Sequence, residues 1–132
     1  MNNLKVAIAT DDKKNLTPRH FGEANYYYLI ELKQNKHKKI GIINNSSWVE
    51  DISKHADKKK AKSVMKLLSS KGINVLAAQV FGPNIVRVRK KFACCVVKKD
   101  TVDELIEILK GKYHEINKEY RKGESREHLT FV

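Results

Sequence analysis

Two prolines and two cysteines are all that 132 residues hold of these types, and each scarcity removes a class of protein. So little proline excludes an extended proline-rich chain. Cys94 and Cys95 are neighbours inside an apolar run. Adjacent strand residues point to opposite faces, so the pair neither bridges itself nor closes on one ion. They read as two small buried residues of a protein in a reducing compartment. No C-x-x-C, H-x-x-x-H or clustered cysteine set occurs, which removes the common zinc and iron–sulfur motifs. A P-loop, a G-x-G-x-x-G turn and a recognisable nucleophile–base pair are missing as well. No apolar run approaches the roughly 20 residues that span a bilayer. The start, MNNLKVAIAT, lacks the basic, long-apolar and small-residue order of a signal peptide. These features predict a soluble, cytoplasmic protein.

Acidic residues are scarce too: 15 against 27 Lys and Arg, for a formal charge of +12. Residues 1–32 balance, and residues 33–72 carry most of the surplus. Such a charge favours anionic partners. Most of it is lysine, a hydrated point charge without the planar fork that reads bases. The basic residues Lys58, Lys59, Lys60, Lys62, Arg87, Arg89, Lys90 and Lys91 therefore suit weak, non-specific contact with nucleic acid backbone, or a solvated surface, better than sequence reading.

The apolar residues, 41% of the chain, are grouped and periodic. Residues 4–22, LKVAIATDDKKNLTPRHFG, organise the reading. Leu4 to Ala9 is a nearly continuous apolar run, as in a strand buried on both faces. A polar loop with Asp11 and Asp12 follows, and Thr17-Pro18 closes it before His20. YYYLIEL (26–32) and IGII (40–43) predict an antiparallel hairpin with a polar turn over 33–39. Ala61, Val64, Met65 and Leu68 share one helical face, and Gly72 stands where a helix is capped. INVLAAQV (73–80) and FACCVV (92–97) are further buried strands, with a short helix from Pro83 to about Lys91 between them. Thr101 and Glu104 form a capping box that opens a helix over 101–118, weakened in its middle by Gly111.

The predicted fold class is α/β: a ribonuclease-H-like three-layer fold with a mixed five-stranded sheet, order 3-2-1-4-5, and helices on both faces. A single domain covers 1–118, and 119–132 is a polar C-terminal tail, loose until its last apolar residues. In this order strands 1, 3, 4 and 5 end at one edge. That edge gathers Asp11, Asp12, His20, Asn44, His55, Gly82 and Lys98.

With those residues placed, the chain resembles the dinitrogenase iron–molybdenum cofactor family, the NifX-like proteins and the C-terminal domain of NifB. KVAIATDD, LTPRHFGEANYYYLIEL, the His55 connection before a helix, GINVLAAQVFGPNIV and the closing strand before the last helix carry the resemblance, over roughly residues 4–110. It implies a ribonuclease-H-type α/β fold and a non-enzymatic role in binding or carrying iron–sulfur or iron–molybdenum cluster precursors, with metallocluster assembly proteins as partners. At 56–60 this chain has Ala-Asp-Lys-Lys-Lys where the family often has small residues and glycines.

His20 and His55 are the candidate ligands, since neutral imidazole binds iron, zinc and copper. Without cysteine ligands, a cluster has to bring its own sulfide or be held transiently. Asp11 and Asp12 admit a second reading as a metal-binding carboxylate pair. A two-metal nuclease wants several converging carboxylates, and only Glu50 and Asp51 are near, so loop-forming turn residues are the reading preferred here. Two alternatives stay open: a basic ribonuclease-H-like domain binding nucleic acid backbone, and a module whose edge binds a protein or small anion.

Overall fold

A computed structural model describes residues 3–45 and 64–132. Six strands form one sheet: β1 (Leu4–Thr10), β2 (Tyr26–Lys33), β3 (Lys36–Asn44), β4 (Val75–Ala78), β5 (Ala93–Val97) and β6 (Leu129–Phe131), in spatial order β3-β2-β1-β4-β5-β6. β1–β2 and β2–β3 are antiparallel, while β1–β4, β4–β5 and β5–β6 are parallel. β1, β3, β4, β5 and β6 therefore all end at one edge of the sheet, where β2 begins. The helices are α1 (residues 64–70), α2 (Ile85–Val88), α3 (Val102–Gly111) and α4 (Tyr113–Tyr120). Among the described residues no helix is long and apolar enough to cross a membrane.

Alternation along the central strands divides the core. Val6, Ile8, Ile30, Val75 and Cys95 pack against Leu105, Ile106, Leu109 and Ile116 of α3 and α4. Ala7, Ala9, Leu29, Leu76 and Cys94 pack on the other face with Val64 and Leu68 of α1 and with Phe21, Phe81 and Phe92. Both cysteine side chains are fully buried, one on each face. Burial pushes the Cys94 thiol up to about 12 and the Cys95 thiol higher.

Three local readings change. The turn expected over 33–39 shrinks to Gln34-Asn35, with Asn35 left-handed at φ 60°, and the strands run on to Lys33 and from Lys36. The lysines of 36–39 look loop-like in sequence but lie on an edge strand, where exposed charge and a bulge discourage further pairing. The register slips between Leu29 and Ile30, which leaves Ile40 as the extra residue. Second, the single helix over 101–118 breaks at Lys112. Its capping box forms as read, with Glu104 N–H donating to Thr101 Oγ1 at 3.1 Å. At the break, the Lys110 carbonyl accepts the Asn35 amide at 3.2 Å, so the hairpin turn competes for the helix's own acceptor beside a poor helix former, Gly111.

Third, the five-stranded sheet gains a sixth strand from the stretch expected to be a polar tail. α4 runs to Tyr120 and Leu129–Phe131 pairs with β5. Local bonds hold the polar residues between them. Glu119 accepts the Glu127 amide at 2.8 Å and the Lys122 ammonium at 3.0 Å, and Arg126 donates to the Gly123 carbonyl at 2.7 Å. Phe131 then enters the α3–α4 core at 5% exposure. Phe131→Ala should therefore lower stability to denaturant by about 3 kcal/mol. An unchanged urea midpoint would mean that the last strand contributes nothing to the fold.

Candidate functional site

β1 delivers its loop to the common edge, and one carboxylate shapes that loop. Asp11 accepts from Thr17 Oγ1 at 2.8 Å, from Arg19 Nη2 at 2.9 Å and from the Asn25 amide at 3.0 Å. Asn25 Nδ2 returns a bond to the Asp11 carbonyl at 3.3 Å. Partial burial opposes the Asp11 charge, but these donors and the Arg19 guanidinium outweigh it and hold the carboxyl below its usual range. Asp12 closes a tighter turn, accepting from the Lys14 amide at 2.9 Å and from Asn15 N and Nδ2 at 2.7 and 2.8 Å. The Asn15 amide, then its side chain and the Lys14 amide, hold Asp12 down at about 2. Both carboxylates are thus engaged within their own loop, the arrangement of turn residues.

The same loop presents His20. Thr17 N–H donates to the Ala9 carbonyl at 3.3 Å, and His20 bridges Val80 in parallel just beyond β4. A short 3-10 turn, Phe21–Glu23, follows. The His20 amide donates to Glu23 Oε1 at 3.1 Å, and His20 Nδ1 stands 4.0 Å from that oxygen. On its other side the ring rests on Gly82. A Cβ at Gly82 would fall 2.5 Å from Nδ1 and 2.8 Å from Cε1, and Gly82 is left-handed at φ 79°. Glycine is needed here twice over, for the backbone conformation and for the imidazole's seat. With Nδ1 between Gly82 and Glu23, the far nitrogen Nε2 is the donor these contacts leave over.

Aromatic packing fixes the turn from below. Phe21 stacks on Phe81 with centroids 5.3 Å apart and meets Tyr27 at 4.9 Å. The buried Tyr27 hydroxyl donates to the Phe21 carbonyl at 2.7 Å, and burial pushes its pKa well up. Asn45, 4% exposed, donates from Nδ2 to the Ala24 carbonyl at 2.8 Å and to Tyr27 Oη at 3.2 Å. Beside His20 opens a cleft of about 230 Å³, lined by Phe21, Gly22, Glu23, Met65, Phe81, Pro83, Asn84, Ile85 and Val88.

His20 and Gly82 touch at this edge, and Asp11 and Asp12 belong to the loop that carries His20, outside the cleft lining. Asn44 and Lys98 are exposed at the ends of β3 and β5, outside the cleft lining. Arg87 lies in α2, and Arg89, Lys90 and Lys91 follow it. His55, Lys58, Lys59, Lys60 and Lys62, with Glu50 and Asp51, lie outside the described residues. Among the described residues no group of three or more His, Cys, Asp or Glu could hold a metal ion. Sequence reasoning missed Glu23, Asn45, Phe81 and Met65. Met65 shares a helical face with Val64 and Leu68, which reads as core. In the structure those two are buried, while Met65 is half-buried and lines the cleft.

Gly82→Ala should force the His20 ring from its seat and cost about 1–2 kcal/mol through the left-handed backbone. Imidazole NMR shifts and thermal unfolding would report it, and an undisturbed ring would show that the seat is not needed. Asp11 carries a second expectation. Its folded pKa lies below the unfolded value of about 3.9, so its stabilisation is complete above that value and is lost as pH falls through the folded one. Hydrogen exchange at the Asn25 amide should accelerate in that acid range, and Asp11→Asn should abolish the pH dependence.

The family described as dinitrogenase iron-molybdenum cofactor matches residues 2–112. No curated protein gives a significant match. Among solved structures, a candidate dinitrogenase from Methanococcus jannaschii is 23% identical with a TM-score of 0.60, the match covering 86% of this chain and 92% of that one. The protein PH0822 is 13% identical with a TM-score of 0.56, covering 87% of this chain and 92% of its own. At these identities the likeness is one of fold. The family match spans most of the chain and includes the His20 loop, the Gly82 turn and the first five strands, so the chain belongs to the dinitrogenase iron-molybdenum cofactor family.

Proposed function

We propose that this protein binds and carries an anionic metallocluster, an iron–sulfur or iron–molybdenum cofactor precursor, without transforming it. The supporting observation is the imidazole of His20, held against the Gly82 backbone at the mouth of a cleft on the edge where five strands end. His55 is the proposed second ligand and belongs to the residues outside the description.

The donor inventory suits cargo rather than a resident cofactor. Among the described residues, Cys94 and Cys95 are buried with their thiols held protonated, and Asp11 and Asp12 are spent within their loop. One or two imidazoles leave most coordination positions to the cargo's own sulfide, which favours weak, reversible holding. The +12 charge supplies long-range attraction for an anion and so raises its local concentration. A partner in cluster assembly would receive the cargo by competing for the few protein ligands.

Anaerobic reconstitution with iron and sulfide should give visible absorbance and bound iron in the native chain. His20→Ala and His55→Ala should each lower both. Unchanged absorbance and iron stoichiometry in the two variants would remove these histidines as ligands and the proposal with them.

A further inference from the structure

We propose that the open flank of β3 is a docking edge for an extended, acidic segment of another protein, which adds there as a further strand. No residue of β3 lines the His20 cleft, and the inference stands independently of the carrier reading. Among the described residues β3 pairs with β2 alone, at the outside of the sheet. Residues 36–40 are all exposed. Their outward main-chain groups therefore have no strand beside them. These are N–H donors and C=O acceptors in alternation, and an added strand meets both.

The side chains choose the partner. Lys36, His37, Lys38 and Lys39 are consecutive. The register puts His37 and Lys39 opposite Leu32 and Ile30, on the α3–α4 face, and Lys36 and Lys38 opposite Lys33 and Glu31, on the other. The Lys39 ammonium stands over the Tyr28 ring at 5.1 Å. Lys36, Lys38 and Lys39 take part in none of the ion pairs among the described residues. Basic charge on both faces calls for acid at successive positions of the added strand. A second copy of this chain brings lysine against lysine, and like charges directly opposed repel. Nucleic acid meets the charge, but phosphate oxygens only accept and leave the outward carbonyls without donors. Ile40, the extra residue of the bulge, is 42% exposed and interrupts the register, so the added strand runs along 36–39 and stops there. The charge that keeps copies apart is also the charge that admits an acidic strand.

The test uses the full chain and a short capped peptide of consecutive Glu and Asp residues between valines. Fluorescence anisotropy gives its affinity, and amide hydrogen exchange shows where it sits. The peptide should bind, more weakly as salt rises, and should slow exchange at amides within 36–40. The triple variant Lys36→Gln, Lys38→Gln, Lys39→Gln changes exposed side chains alone and should fold normally by circular dichroism. It should bind the peptide at least about tenfold more weakly. The same peptide with N-methylated amides keeps its charge and loses its donors, so it should also bind at least about tenfold more weakly. Equal affinity for the N-methylated peptide, or exchange slowed elsewhere and not within 36–40, would overturn strand addition. Absence of binding by the native chain, or unchanged affinity in the triple variant, would overturn the proposal outright. A single-stranded oligonucleotide of matched charge that binds more tightly than the peptide and protects the same amides would assign the edge to nucleic acid instead.

Discussion

The Asp11 carboxylate is where sheet and site are joined. Its bonds to Thr17, Arg19 and Asn25 span the loop from the end of β1 to the start of β2. They turn fifteen residues of polar chain, 11 to 25, into a fixed projection. Ordering a loop of this length costs conformational entropy, which these bonds help to offset alongside the His20–Val80 bridge and the Phe21 packing. Charge-assisted acceptors are worth more than neutral ones, which is why a single carboxylate can serve three donors here. The residue that reads in the sequence as loop-forming acts as the loop's fastening in the fold.

Around this anchor, the site is built from contacts between strand ends. Parallel β1, β4 and β5 place their C-terminal loops side by side, the general location of binding sites in open α/β sheets. Two of those loops meet at His20 and Gly82. The imidazole occupies the space a side chain would need at Gly82, and Gly82 adopts a backbone shape that other residues resist. Phe21, Phe81 and Tyr27 fill the volume beneath, and Asn45 satisfies the carbonyl of Ala24 where the chain turns into β2. The result is a mostly apolar cleft with one good nitrogen donor at its lip.

The sheet also resolves the chain's charge. Lysines that look like a loop at 36–39 line an exposed edge strand with a bulge, which suppresses edge-to-edge association. Four of the 15 acidic residues fasten structure: Asp11 and Asp12 in the first loop, Glu104 in a helix cap, Glu119 under the last turn. The basic surplus is left to the surface, where it acts at a distance.

By itself the sequence determined the strand–helix alternation, the first five strands in their spatial order, the capping box at Thr101 and the opposed burial of Cys94 and Cys95. All of these follow from local periodicity, from short connections and from the handedness of crossovers. It also brought His20 and Gly82 to the same edge, since strand order alone does that. Only the tertiary structure decided that the imidazole sits on the glycine, that Met65 lines the cleft while packing on the core, and that Asp11 spends its oxygens on the loop. The break at Lys112 and the sixth strand were likewise decided between distant segments: Asn35 captures the Lys110 carbonyl, and Phe131 finds space beside β5. The physical reason is common to them. Periodicity records which face a residue prefers, whereas a hydrogen-bond partner or a van der Waals seat exists only once segments remote in sequence have met.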